Sequence, residues 1–375
     1  MKKDIIPFYQ SGDKLIVKSD DCSLYDSDGK VYIDFESGVW CANIGHSNTQ
    51  IIKRVTEQIN TSIHHGYQFR NQYAEDLSVK LQQLIGFENG ASVFLSSGSE
   101  AVNLSITLAR YFTGKNKILK IDNSYLSAFG PGQISDENDV LVNITFDDTG
   151  SIETIDFNDI AAFVMETGGA SAGMVRFPSE DFIHQLTEAC RRHNCLIIAE
   201  EVTTGMGRTG KWFGFQHYRV IPDILVTGKA LGNGFPISSV TLNARLADQF
   251  GLHPFRYAQS HQNDPLGCSI ALEVIKVIGE QKLIDKARTT GGYFRSKLEN
   301  LRRRFPEKIK DIRARGLMLA IEFTELVNGE WISQQLFENG LVTGFKQNTL
   351  RFLPPLTIQH KDIDQLTDKL DDLLA

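Results

Sequence analysis

The sequence predicts an α/β protein: a large domain with a mostly parallel sheet flanked by helices, joined to a smaller α+β domain formed by the N- and C-terminal segments. Three observations carry this. From about Asn48 onward, short apolar, β-rich runs alternate with amphipathic helical stretches. Those runs are mostly apolar, as strands covered on both faces are. After about Lys276 the texture shifts to a long charged helix and two extended segments.

Each element follows from its own pattern. Val31, Ile33 and Phe35 mark a half-buried strand by their period of two. Residues 92–95 (SVFL) read as a strand, followed by Ser-Ser-Gly-Ser-Glu and the helix-like AVNLSITLARYF. Residues 117–121, 162–165, 196–199 and 223–226 are further strand candidates. The helix KARTTGGYFRSKLENLRRRF leads to extended segments at 317–323 and 350–353. The closing DIDQLTDKLDDLLA places Ile363, Leu366, Leu370 and Leu373 on one helical face. The expected division is 1–47 as the N-terminal segment of the small domain, 48–275 as the large domain, and 276–375 as the C-terminal small domain.

Composition narrows the function classes. A chain of 375 residues has room for two or three domains. A net charge of −7 argues against general nucleic-acid binding, which needs a clustered basic surface. Arg302, Arg303 and Arg304 are the one dense basic cluster, and they read as the solvated face of a helix. Cys22, Cys41, Cys190, Cys195 and Cys268 are odd in number and form no CxxC pair, which fits a reduced, cytoplasmic setting and no metal site. Met1-Lys2-Lys3 followed by Asp4 does not make a signal peptide, and no apolar run approaches the ~18 residues of a membrane span.

Four segments could carry chemistry. At Leu95-Ser-Ser-Gly-Ser-Glu100 a strand gives way to a helix through small residues, where a phosphate could meet unpaired N–H groups. An ordinary turn capped by Ser97 or Ser99, with Glu100 in the first helical turn, explains the same residues. At Leu196-Ile-Ile-Ala-Glu-Glu-Val202 two carboxylates sit where a buried strand ends. Ligands bind beyond such ends, and successive residues point to opposite faces, so only one carboxylate faces a given ligand. A solvated strand end, or an ion pair with Arg208, is the plainer account. Lys229 follows an apolar strand and sits among glycines (TGKALGNGFP). In an apolar pocket its pKa would fall and its amine become nucleophilic; a lone lysine is otherwise a surface charge. Arg351, in the apolar run TLRFLPPLT, suits a ligand carboxylate or, equally, an edge-strand arginine reaching water.

Together these segments resemble the class III (subgroup II) aminotransferases of pyridoxal-phosphate (PLP) fold type I, a family that includes acetylornithine, ornithine and 4-aminobutyrate aminotransferases. The resemblance runs from about Gly38 to Ile358 and is most specific in EEVTTGMGRTGKWFGFQHYRVIPDILVTGKALGNGFP, residues 200–236. It implies that Lys229 is the Schiff-base lysine and moves the substrate proton, with Glu200 as the acid on the ring nitrogen. It implies that Gly98 and Ser99 bind phosphate, that Tyr125 stacks on the ring, and that Thr203 lies near the phenolic oxygen. Ser260 matches a threonine that reaches a neighbouring subunit's phosphate, which implies a homodimer with active sites at the interface. Arg351 matches the arginine that grips a substrate carboxylate, and Trp40 falls in a stretch that lines the substrate pocket, though a core tryptophan explains it equally. His46, His64 and His65 receive no role.

The chain departs from the family pattern around the ring and substrate. Glu200 stands in place of Asp, Thr203 in place of Gln, and Tyr125-Leu126-Ser127 in place of an aromatic-His-Gly turn. The segment beginning at Glu166 carries Ser171 where a glutamate often gates dual substrate recognition, which would leave Arg351 free for carboxylates in both half-reactions. The resemblance therefore implies a transaminase passing an amino group from a carboxylate-bearing amino compound to a 2-oxo acid. A PLP racemase, aminomutase or amine lyase, and a non-catalytic PLP-binding protein, are the competing readings.

Overall fold

The computed structural model describes residues 6, 12–133, 139–169 and 173–375; most of the N-terminal stretch read for a leader, and Ser171, lie outside them. Strands β1 (Ile16–Asp20), β2 (Ser23–Asp26) and β3 (Val31–Asp34) form an antiparallel meander. A four-residue turn, α1 (Ser37–Trp40), leads to α2 (Thr49–Ile59) and α3 (Gln72–Ile85). Then come β4 (Ala91–Leu95), α4 (Gly98–Thr113), β5 (Lys117–Ile121), β6 (Leu141–Ile144), β7 (Ile160–Glu166), α5 (Glu180–Arg192), β8 (Leu196–Glu200), β9 (Ile224–Thr227) and β10 (Ser238–Leu242). Helices α6 (Ala244–Leu252), α7 (Pro265–Glu280) and α8 (Leu283–Arg304) follow. The chain closes with β11 (Ile309–Arg315), β12 (Met318–Phe323), α9 (Gly329–Glu338), β13 (Leu341–Val342), β14 (Gly344–Lys346), β15 (Thr349–Phe352) and α10 (His360–Leu374).

Seven strands build the central sheet in the order β4-β10-β9-β8-β7-β5-β6. The run β6, β5, β7, β8, β9 is parallel, whereas β10 is antiparallel to both β9 and β4. Two reversals make β4 parallel to β9. Hence β4, β5, β7, β8 and β9 all deliver their C-terminal ends to one edge, where open α/β sheets bind ligands. The continuous apolar runs are explained by burial on both faces: every residue of β7, β8, β9 and β10 is buried.

Two smaller sheets accompany it. β13 pairs parallel with β3, through Leu341 with Ile33 and Val342 with Asp34, so the C-terminal chain returns to the N-terminal meander. β11, β12, β15 and β14 form an antiparallel sheet in that order. In α10 the buried stripe is Ile363, Leu366, Leu370 and Leu374; Leu373 is only half-buried. The stripe thus ends four residues past Leu370, one position beyond the expected one, as a 3.6-residue period allows. Arg302, Arg303 and Arg304 occupy the last turn of α8, where cations complement the helix C-terminus.

Arg208 does not pair with the carboxylates at the end of β8. It is fully buried and donates to the carbonyls of Leu317 and Pro354, to Ser37 Oγ and to Asn43 Oδ1. One guanidinium therefore ties the turn after β8 to both the N-terminal and the C-terminal segments. Burial pushes its pKa down to about 9. Replacing Arg208 by methionine would leave four buried acceptors short of a donor, each costing about 1–3 kcal/mol. The urea midpoint of the loaded protein is expected to fall sharply; a midpoint within error of the parent would show that the four bonds are dispensable.

Candidate active site

The strand ends at the ligand-binding edge carry Gly98, Ser99, Tyr125, Glu200, Thr203 and Lys229, whereas Trp40, Ser260 and Arg351 come from other segments. At the end of β4, Ser97 caps α4: its Oγ accepts the N–H of Glu100, whose carboxylate accepts the N–H of Ser97 at 2.7 Å. The capped-turn account is thus correct. It leaves the N–H groups of Gly98 and Ser99 in the first helical turn, where no intrahelical carbonyl reaches them. A Cβ on Gly98 would lie 2.9 Å from Val202 Cγ1, and one on Gly228 would lie 3.4 Å from Gly98 Cα. Gly98 thus packs against the Val202 side chain and Gly228 against the Gly98 backbone, so the turns after β4, β8 and β9 approach closely where glycine stands. Ser99 Oγ accepts the N–H of Ala128 at 3.0 Å, which ties the loop after β5 to this helix end. Tyr125 rides on that loop and is exposed.

The two carboxylates of β8 separate as strand alternation requires. Glu201 is enclosed by donors: Thr204 Oγ1 at 2.6 Å, and the N–H groups of Gly214 and Phe215, each at 2.7 Å. It anchors the loop Gly214–His217. Glu200 lies in register with Glu166 of β7 and accepts one N–H, from Val202, at 3.0 Å. Burial pushes Glu200 up to about 8; neighbouring Glu166 raises it further, and Lys229 opposes the rise. Glu166 is also pushed up by burial, while the N–H groups of Gly169 and Gly168 hold it down. Its Oε1 takes both of those bonds, and its Oε2 is buried without a hydrogen-bond partner among the described residues. Two abutting buried acids cannot both ionise cheaply, so this floor favours a cationic partner.

Lys229 begins the turn after β9. Burial lowers its pKa, against the pull of Glu200. Its backbone takes φ +43°, a left-handed conformation that disfavours any residue with a Cβ. Its Nζ lies 4.9 Å from the centre of the Trp40 ring, and Arg351 Cζ lies 4.9 Å from the same centre. Trp40 is buried against Val175, Met318, Ala320 and Leu353. Trp40 thus packs in a small apolar cluster, as the core reading expects, and its ring lies near both the lysine and the arginine.

Arg351 is not free. Its Nε lies 3.3 and 3.2 Å from the two carboxylate oxygens of Glu36, and its Nη2 lies 3.2 Å from Oε2. This corrects the expectation drawn from Ser171, and no local sequence signal points to Glu36. Thr203 is buried three residues past Glu200. Ser260 stands apart, exposed on the segment before α7, although its neighbour Gln259 bonds Glu100 at 3.1 Å. His64, assigned no partner from sequence, meets Asp264, as does His261 at 2.7 Å. These mutual hydrogen bonds account for the group. His46 Nε2 lies 2.8 Å from Asp34.

A buried lysine with a lowered pKa, attracted by paired acids at the strand ends of a parallel sheet, is suited to capture a carbonyl compound. The fold and the site together define the PLP fold type I class. Comparison with known proteins narrows this. The aminotransferase class-III model matches residues 9–127 and 133–374. Acetylornithine aminotransferase of Aquifex aeolicus is 31% identical over 367 residues, spanning 94% of this chain and 94% of its own. That of Methanocaldococcus jannaschii is 31% identical over 394 residues, spanning 100% of this chain and 96% of its own. The crystal structure of acetylornithine aminotransferase from Elizabethkingia anophelis superposes with a TM-score of 0.85 at 28% identity, covering 100% of this chain and 96% of that one. The chain belongs to the class-III aminotransferases and is a PLP-dependent transaminase, which favours transamination over racemase, mutase, lyase or purely binding roles. The residues fit the cofactor: the close approach at Gly98 and Gly228 leaves a helix end open to phosphate, and the abutting acids suit a protonated ring nitrogen. Among the described residues, no helix is long and apolar enough to cross a membrane.

Proposed function

We propose that Lys229 carries the cofactor and moves the substrate proton, in a reaction that takes the amine from a carboxylate-bearing amino compound and gives it to a 2-oxo acid. The observation that carries this is the convergence of Lys229 and Glu200 on one buried site at the ends of β9 and β8. PLP, when bound, supplies an electron sink for the bonds at the substrate carbon. The rest belongs to the protein. Glu200 holds a proton at the ring nitrogen. Gly98 and Ser99 hold the phosphate through backbone N–H groups and the Ser99 hydroxyl. Tyr125 covers one ring face, and Thr203 offers a hydroxyl near the phenolic oxygen. Lys229 Nζ, whose pKa burial lowers, accepts and returns a proton. Arg351 orients the substrate carboxylate beside Trp40.

The assembly belongs to the same reading: a homodimer in which the partner subunit's Ser260 completes each phosphate site, acting in the cytoplasm. The same reading keeps the division at residues 47 and 275, and the pairing of β13 with β3 supports joining the N- and C-terminal segments in one small domain. Relatives named acetylornithine aminotransferase make N-acetylornithine the first donor to try and 2-oxoglutarate the first acceptor. The test is the absorbance of the purified protein as amino compounds are added singly without acceptor. The visible cofactor band is expected to give way to the near-ultraviolet band of its amine form and to return with a 2-oxo acid. A band that never converts, while a candidate compound is racemised, rearranged or deaminated, would overturn this reading.

A further inference from the structure

We propose that Glu36 is a specificity-determining residue of this transaminase: its carboxylate occupies Arg351 when no ligand carboxylate is present, and an incoming carboxylate must displace it. The proposal rests on the reading of Arg351 as the ligand-carboxylate arginine and names what that arginine holds beforehand.

Three features of the structure carry it. First, the contact is two-pronged and shielded. Nε and Nη2 of Arg351 both face Glu36 at 3.2–3.3 Å, and the two side chains are only 15% and 12% exposed. Two donors on one side of a guanidinium are what a ligand carboxylate would use. Second, the fold makes room for the pair. Gly344 lies opposite Arg351 between β14 and β15, and a Cβ there would collide with Arg351 Nε and lie 2.5 Å from Glu36 Oε1. Third, Glu36 is held by a segment that would not persist unaided. Ser37, Gly38, Val39 and Trp40 all have positive φ, at 42°, 59°, 59° and 67°. Each such L-residue costs roughly 1–2 kcal/mol, and Val39 is β-branched besides. The turn is fastened from several sides. Asp34 accepts the N–H groups of Glu36 and Gly38, each at 2.8 Å. Ser37 Oγ donates to the Leu353 carbonyl at 2.7 Å and accepts from Arg208. Strain sustained in this way clusters at functional sites. Here it brings Glu36 to Arg351, and Trp40 beneath both Arg351 and Lys229; Trp40 Nε1 also donates to Glu36 Oε2 at 3.2 Å.

The consequence is a pocket with two electrostatic faces. With Glu36 on it, Arg351 presents no net charge, and a neutral ligand meets no uncompensated cation. A ligand carboxylate gains Arg351 only by giving Glu36 another setting, so its affinity is lower than a bare arginine would provide. Burial raises the pKa of Glu36, and Arg351 counteracts this, so the pair is mutually dependent.

The test uses loaded enzyme and calorimetric titration with two inert probes, glutarate and its neutral counterpart glutaramide, on wild type, Glu36→Gln and Arg351→Ala. The Glu36→Gln change removes the charge and turns one of the two acceptor oxygens into an NH2 donor, keeping one oxygen for Trp40. The expected result is glutarate binding about tenfold tighter to Glu36→Gln, equivalent to about 1.4 kcal/mol, with glutaramide unchanged. Arg351→Ala is expected to abolish the glutarate preference. If Glu36→Gln changes both probes alike, or neither, while Arg351→Ala weakens glutarate, Glu36 only supports the fold and the proposal falls, though the reading of Arg351 stands. If Arg351→Ala leaves glutarate unaffected, that reading falls and takes the proposal with it. Glu36→Asp, which keeps the charge, provides a second variant should the glutamine protein not fold; the wild-type glutarate-to-glutaramide ratio is expected there, and a tenfold gain in glutarate affinity would overturn the assignment.

Discussion

Lys229→Ala is expected to lower transamination by about 10³–10⁴-fold or more, the scale on which a positioned acid–base group and a covalent anchor act. The reasoning is positional before it is chemical. Lys229 sits one residue beyond the glycine that follows β9, in a left-handed backbone conformation at φ +43°. An ordinary loop would give that conformation to glycine, so the strain marks a side chain that cannot be exchanged. Burial lowers the lysine's pKa, which favours the neutral, nucleophilic amine relative to an exposed lysine. Arginine cannot replace it, because a guanidinium stays protonated. The chain contains a decoy that sharpens the test. Lys120 of β5 is also buried, and burial lowers its pKa as well. Hydride reduction of the loaded protein should fix the cofactor's mass on the peptide containing Lys229. Label on the Lys120 peptide, or a Lys120→Ala protein that loses the visible band while Lys229→Ala keeps it, would transfer the role to the other lysine.

The contrast between these lysines shows where sequence reasoning reaches and where it stops. Lys229 stands out because its neighbours are glycines in a recurrent order; Lys120 lies in an ordinary strand, and only the fold shows that it is buried. The apolar runs announced the buried sheet because burial on both faces leaves no polar alternation to read. The separation of Glu200 from Glu201 was legible for a related reason, since alternation is a property of the strand alone. Register between strands is not, and so the abutment of Glu166 and Glu200 appeared only in the structure. Glu36 and Arg351 lie 315 residues apart, and neither flanking sequence encodes the other. Arg208 departs from its sequence expectation for a similar reason. A nearby carboxylate is the obvious partner, yet four oxygens from distant segments satisfy it instead.

Glu200 and Glu201 should part company when each is changed to glutamine. Glu201→Gln turns one of the two oxygens that serve three donors, two of them backbone N–H groups, into an NH2 donor, so it should destabilise the protein by about 1–3 kcal/mol and leave the turnover of folded enzyme nearly intact. Glu200→Gln should do the reverse: turnover falls by about 10²-fold or more, the scale of one lost electrostatic contact in a buried site. The stability of the cofactor-free protein carries the sign that identifies Glu200. Its carboxyl gives up a proton near pH 4.5 in the unfolded chain and is held up to about 8 in the folded one. Across that window the folded state binds the extra proton, so this group's contribution to stability declines as pH rises and levels off above about pH 8. Glu201, raised to about 7, adds a similar decline, but it is common to both proteins and cancels in the comparison. Cofactor-free Glu200→Gln should therefore gain on wild type steadily between about pH 5 and pH 8 in melting temperature. Loading the cofactor should erase the gain, because a protonated ring nitrogen gives wild-type Glu200 the cation that burial and Glu166 otherwise deny it. A pH-independent difference between the two cofactor-free proteins would mean that Glu200 is already ionised in the fold, and that the acid pair with Glu166 does not act as a receptor for a cation.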